Sequence, residues 1–120
     1  MEQIRTVIGG CRDYCNYEEF CVFVDRCLNE LSGEVVILSG HCSGVDEMAE
    51  RYAKQHGIKC EVYSADWKRY GRAAGPIRNR HMVEQCSVVI AFRDGKSRGT
   101  KSLISLAEAA QKRLYVQMIV

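Results

Sequence analysis

The chain has 120 residues, 47% of them apolar and 27% charged, with a formal net charge of +2. That is enough for one domain with a real core, and too balanced to mark a nucleic-acid binder by charge alone. No apolar run approaches the roughly 18–20 residues of a membrane span, and the N-terminus runs into strand-forming sequence without a secretory leader pattern, so a cytoplasmic protein is expected.

The elements follow in alternating order. Residues 4–9 predict a first strand, and residues 17–31 a helix with Phe20, Val24, Cys27, Leu28 and Leu31 on one face, Asn16 as its N-cap and Ser32-Gly33 as its end. A second strand is predicted at 35–39 and a second helix at about 44–56, with Val45, Met48, Ala49, Tyr52 and Ala53 turned inward and Gly57 stopping it. A third strand at 59–63 leads into a long loop, 64–75, and then a helix at about 76–86 with Pro76, the only proline, in its first turn. A strand at 87–92, a helix at about 100–112 and a strand at 114–119 complete the chain. Strands alternating with helices at this spacing predict an α/β fold: a Rossmann-like three-layer sandwich in a single domain spanning residues 1–120, its five-stranded parallel sheet in the order 3-2-1-4-5.

Three apolar runs each end in a glycine-bearing turn that opens a helix: Gly9-Gly10-Cys11-Arg12-Asp13, Ser39-Gly40-His41-Cys42-Ser43-Gly44-Val45-Asp46, and Asp94-Gly95-Lys96-Ser97-Arg98-Gly99-Thr100. Free backbone N–H groups at a positive helix end suit a phosphate or another anion. In the third turn Gly99 lets the backbone approach a ligand, Thr100 can cap the helix or bond a phosphate oxygen, and Lys96, Ser97, Arg98 and Lys101 supply charge and donors. The spacing matches neither a Walker A loop nor the dinucleotide G-x-G-x-x-G. In the second turn Ser39 and Ser43 are donors beside Gly40 and Gly44; Asp46 either complements the helix dipole or bonds a ribose hydroxyl. The loop Asp66 to Gly75 is basic and holds the only tryptophan. Trp67 or Tyr70 can stack on a base, or Trp67 can pack the loop onto the domain. Arg78 and Asn79, at the start of the next helix, are placed to meet a ligand.

Seven cysteines, an odd number without a C-x-x-C pair, indicate neither a disulfide framework nor a zinc ribbon. Cys21, Cys27, Cys60 and Cys86 read as small buried hydrophobes, and Cys11, Cys15, His41 and Cys42 lack a structural zinc spacing, so no metal is expected.

The succession GGCRD, SGHCSGVDEMAERYAKQHG, SADWKRYGRAAGPIRNRHM and FRDGKSRGTKSLISLA resembles the YspA-like branch of the SLOG superfamily, which also holds the cytokinin-activating phosphoribohydrolases called LOG (Lonely Guy) and the DNA-processing protein DprA/Smf. The resemblance covers nearly the whole chain and is most specific from Ala65-Asp66-Trp67 to Gly75-Pro76-Ile77-Arg78-Asn79. It implies a Rossmann-like domain for a nucleotide-type ligand such as AMP, ADP-ribose or an NAD-like molecule, acting as a sensor or as a nucleotide or N-glycosidic hydrolase. LOG-type enzymes carry a P-G-G-x-G-T-x-x-E motif whose glutamate works with an arginine. Here Lys96-Ser97 replaces the leading glycine pair and Leu103 stands at the glutamate position. Asp66 and Asp94 are then the candidate catalytic acids, with Asp46 a third. The expected partners are a small nucleotide-derived ligand and a second copy of the chain. The alternative is a DprA-like single-stranded nucleic-acid module built on Lys68, Arg69, Arg72, Arg78, Arg80, Arg93, Lys96 and Arg98.

Overall fold

Apolar residues in the central strands run on without alternation, which places both sides of each strand against a covering layer. The computed structural model describes residues 2–119 and shows the consequence. Five parallel strands, β1 (Gln3–Gly10), β2 (Glu34–Ser39), β3 (Lys59–Val62), β4 (Val88–Arg93) and β5 (Arg113–Met118), pair in the order β3-β2-β1-β4-β5. Val7 stands between Leu38 and Val89 in register. Helices α1 (Tyr17–Asn29) and α2 (Val45–Gln55) cover one face, packing on Ile8, Ile37 and Ile90. Helices α4 (Ala74–Glu84) and α5 (Arg98–Ala109) cover the other, packing on Val7, Leu38 and Val89. The first core is aromatic at the carboxyl end of the sheet, where the Phe92 ring meets Phe20 at 5.1 Å, Phe23 at 5.4 Å and Tyr14 at 5.7 Å.

Local chemistry sets the helix starts. Asn16 Oδ1 accepts from the Glu19 N–H at 3.1 Å and caps α1. Val45, Met48, Ala49, Tyr52 and Ala53 of α2 are all buried. Of residues 64–75, expected as a loop from their glycines and charges, only 64–66 lack regular structure. Asp66 Oδ1 accepts from the Arg69 N–H at 3.1 Å and opens a one-turn helix α3 (Trp67–Tyr70); a 3₁₀ turn (Gly71–Ala73) then hands the chain to α4. Pro76 lies in the first turn of α4, where no N–H is required. Helix α5 begins two residues before the expected position because Ser97, not Thr100, is its cap. Cys27 and Cys86 are buried, Cys21 and Cys60 half-buried, and Cys11 also enters the core. Burial pushes the Cys27 thiol up to about 11 and those of Cys11, Cys60 and Cys86 upward, so these behave as apolar groups.

Gly44 and Gly57 both hold positive φ, +74° and +64°, but only Gly44 is hemmed in: a Cβ there would lie 2.5 Å from the carbonyl oxygens of Cys11 and Arg12. Gly57→Ala is expected to cost about 1–2 kcal/mol, the left-handed penalty alone. Gly44→Ala is expected to cost clearly more, because backbone must move. Urea unfolding of the two variants checks the order, and equal midpoints would refute it.

Candidate functional site

The β1-to-β2 and β4-to-β5 crossovers leave the sheet in opposite directions, and a crevice opens beyond the carboxyl ends of β1 and β4. A cavity of about 230 Å³ lies there. Its floor is Gly9 and Gly10 with Met82 and Leu103; Arg78 and Asn79 of α4 and Ser97 to Thr100 of α5 form one side, and Arg12, Cys42 and Asp46 the other. The glycines make the space. A Cβ on Gly9 would lie 3.0 Å from Leu103 Cδ2, and one on Gly10 would lie 2.5 Å from the Phe92 carbonyl oxygen.

The N-terminus of α5 is fixed by a chain of caps. Asp94 Oδ1 accepts from the N–H groups of Lys96 and Ser97, each at 2.9 Å. Ser97 Oγ accepts from the Thr100 N–H at 3.3 Å and from Thr100 Oγ1 at 3.0 Å. Asn79, buried on α4, donates from Nδ2 to the Gly99 carbonyl at 3.2 Å. The N–H groups of Arg98 and Gly99 have no acceptor among the described residues and form the positive end of the helix.

Arg78 is held across the cleft. Its Nη1 donates to the Gly40 carbonyl at 2.5 Å and its Nε to Asn79 Oδ1 at 3.0 Å, while Nη2 has no partner among the described residues. Asp46 is buried at the first turn of α2, with Oδ2 accepting from the Cys42 N–H at 3.2 Å. Burial pushes the Asp46 carboxyl up to about 6, against the pull of the Arg78 and Arg12 charges. No guanidinium comes within ion-pairing distance of it among the described residues. Among the described residues Asp46 is the only carboxylate lining this cavity, beside Arg12, Arg78 and Arg98.

Two further cavities share Arg12 with the first. One, of about 280 Å³, runs from Arg98 and Gly99 past Arg78 to Trp67 and Pro76. The other, about 400 Å³, lies between the turn after β1 and the start of α2; there Asp13 and Glu47 offset Arg12 and Arg51, and Arg51 is stacked on the Tyr17 ring at 3.9 Å. The larger space is therefore nearly neutral, and the arginine excess belongs to the other two.

A family model described as YAcAr, the YspA, cpYpsA-related SLOG family, matches residues 4–70. The chain belongs to that family. It is also similar to the Gene 61 protein of Mycobacterium phage D29, 35% identical over 82 residues, which cover 63% of this chain and 66% of that protein. Its fold is similar to DNA processing protein A (DprA) of Streptococcus pneumoniae, with a TM-score of 0.75 at 20% identity over 94% of this chain and 50% of that one. It is similar too to DprA of Helicobacter pylori, a structure describing that protein's single-stranded DNA binding mode, with a TM-score of 0.71 at 23% identity over 94% of this chain and 64% of that one. The chain thus spans between half and two-thirds of these relatives.

Within the SLOG domain the residues expected at the site separate. Gly9, Gly10, Arg12, Asp46, Arg78, Asn79, Ser97, Gly99 and Thr100 line one cleft, with Gly40 against Arg78 and Asp46. Trp67 lines the adjoining cavity, and Ser43 and Gly44 the nearly neutral one. Ser39, expected as a donor to ligand, is instead fully buried beneath the turn, where its Oγ donates to Glu50 at 2.8 Å. Tyr70 and Lys96 are exposed and line none of these cavities. The two candidate acids, Asp66 and Asp94, are engaged as caps of α3 and of the turn before α5, away from the cleft floor; Asp46 is the acid in the cleft. Cys42, Met82 and Leu103 also reach the cleft. Leu103 is marked by its place at the glutamate position of the LOG-type motif, whereas Met82 carries no sign of this in sequence beyond helical spacing from Arg78. Among the described residues no cluster of His, Cys, Asp and Glu is placed to hold a metal.

The raised Asp46 carboxyl has a sign that can be tested. The folded state holds the proton more tightly than the unfolded chain, so Asp46 favours folding at low pH, and that contribution is lost as the pH rises from about 4 through about 6. Relative to Asp46→Asn, the wild type is expected to lose on the order of 1–3 kcal/mol between pH 4 and pH 7. Denaturant melts at both pH values measure it, and parallel curves would show that Asp46 is not perturbed.

Proposed function

We propose that this SLOG domain binds the phosphate of a nucleotide-derived ligand, such as AMP, ADP-ribose or an NAD-like molecule, in the cleft between β1 and β4. The observation that carries the reading is convergence: the free N–H groups of Arg98 and Gly99 and the side chains of Arg12, Arg78 and Arg98 face one glycine-floored cavity that, among the described residues, holds a single carboxylate. Helix-end N–H groups and guanidinium forks are matched to phosphate oxygens. Leu103 stands where LOG-type enzymes have their catalytic glutamate and is buried against Gly9, which favours a binding or sensing role. If turnover occurs, Asp46 is the acid positioned for it.

A second reading, recognition of single-stranded DNA, is favoured by the arginine-lined cavity beside the cleft and by the likeness to H. pylori DprA. The two readings differ in salt dependence. Strand binding falls with a slope of about −0.7 per phosphate contacted, so a strand contacting several phosphates loses affinity steeply.

A nucleotide ligand at 100 times its Kd is expected to raise unfolding stability by about 2.7 kcal/mol. A thermal-shift series with AMP, ADP-ribose and NAD checks this, and no shift with any of them at millimolar concentration would refute it. Arg78→Lys keeps the charge but loses the free Nη2 donor and the planar group that ties to Gly40 and Asn79. It is expected to weaken a nucleotide by about 1–3 kcal/mol, measured by calorimetry; an unchanged Kd would remove Arg78 from the site.

A further inference from the structure

The proposed phosphate cleft opens sideways into the cavity of about 280 Å³, with which it shares Arg12, Arg78, Asn79, Arg98 and Gly99. This second space is chemically distinct. Arg12, Arg72, Arg78 and Arg98 line it with no carboxylate among the described residues, and its apolar part is Trp67 and Pro76. Trp67 is the only tryptophan in the chain and one of its exposed large apolar residues, with 49% of its surface open to solvent. Its position is fixed all the same. The Asp66 cap holds α3, and a Cβ on Gly75 would lie 3.4 Å from the Trp67 Cη2, so the indole edge rests on the start of α4. Arg12 Cζ stands over the ring, 6.0 Å from its centroid. Among the described residues the Arg12 side chain has no ion pair; only its backbone carbonyl accepts hydrogen bonds from a side chain, that of Ser43.

We propose that Trp67 and Arg12 clamp the base of a nucleoside 5′-phosphate, the base lying between the indole and the guanidinium while its phosphate occupies the cleft at the start of α5. The proposal rests on the phosphate reading above. A flat ring between two others needs about 7 Å, twice the roughly 3.5 Å of van der Waals contact. Arg12 Cζ lies 6.0 Å from the indole centroid, so it has to retreat by at least about 1 Å, with no ion pair among the described residues to break. The indole offers a π face to any base, and a guanidinium stacks on the other side. The surplus of positive charge suits a ligand whose phosphate carries the compensating charge. Free nucleotides and nucleotides within a single strand share this chemistry.

Trp67 emission reports on this cavity alone. Wild type, Trp67→Phe and Trp67→Ala are titrated with AMP, ribose 5-phosphate, inorganic pyrophosphate and a short oligodeoxyadenylate, by calorimetry and, where tryptophan is present, by fluorescence; circular dichroism verifies folding. The expected result is that AMP quenches Trp67 emission and binds at least tenfold more tightly than ribose 5-phosphate, which leaves the emission unchanged. Trp67→Ala removes that tenfold advantage without altering the ribose 5-phosphate affinity, and Trp67→Phe keeps most of it. Quenching by the oligonucleotide with none by AMP supports the clamp with a strand as the source of the base. Equal binding of AMP and ribose 5-phosphate without quenching overturns the clamp while leaving the phosphate reading in place. Binding of none of the four overturns both.

Discussion

Gly10 has no room for a side chain, and the architecture of the site follows from that. A Cβ at this position would lie 2.5 Å from the Phe92 carbonyl oxygen and 2.9 Å from Val45 Cγ2. The end of β1 is thereby pressed between the end of β4 and the start of α2. The same closeness lets the Cys11 N–H bond the Phe92 carbonyl at 3.3 Å and the Cys11 carbonyl accept from the Val45 N–H at 3.2 Å. Helix α2 is thus docked on the first turn by its leading residue, and Asp46, the next residue along, is carried to the edge of the cleft. A larger residue at Gly10 would separate these elements and close the space that Gly9 leaves above Leu103.

Asn79 performs the corresponding task on the other side. It is buried, and it spends its side-chain amide on two elements: the Gly99 carbonyl at the start of α5 and the Arg78 guanidinium beside it. Arg78 in turn is tied to the Gly40 carbonyl. The two helix starts and the second glycine turn are therefore linked by hydrogen bonds that leave Nη2 of Arg78 and the first N–H groups of α5 unused. Preorganised donors of this kind lose little freedom when an anion arrives. Asp46 opposes them in charge, and its raised carboxyl lets it become neutral under mildly acidic conditions.

The parallel sheet was legible because apolar runs such as Val35 to Leu38 and Val88 to Phe92 alternate with amphipathic helical periods, and its order followed from right-handed crossovers in the nucleotide-binding arrangement. The caps were partly legible. Asn16 stood directly before a helical period and caps as expected, whereas Asp66 sat in a basic, glycine-bearing stretch that masked a one-turn helix. At α5 two hydroxyl residues competed for one cap; Ser97 takes it and Thr100 bonds to Ser97, a choice fixed by backbone geometry. The misplacement of Ser39 has a similar cause. A serine ending a buried strand is as readily turned under the helix, where Glu50 and the backbone satisfy it, as toward the crevice. Met82 and Leu103 reach the cleft only through the docking of α4 and α5 on one another, a long-range fact that local periodicity does not carry.

The central claim is that an anion lodges where β1, α4 and α5 meet. Backbone amide shifts, followed by ¹⁵N NMR during titration with inorganic pyrophosphate, test it most directly. The account predicts that the largest changes fall on Gly10, Arg98 and Gly99, with smaller ones at Gly40 through Arg78. Changes confined to Ser43, Gly44 and Glu47, or none at millimolar pyrophosphate, would contradict it.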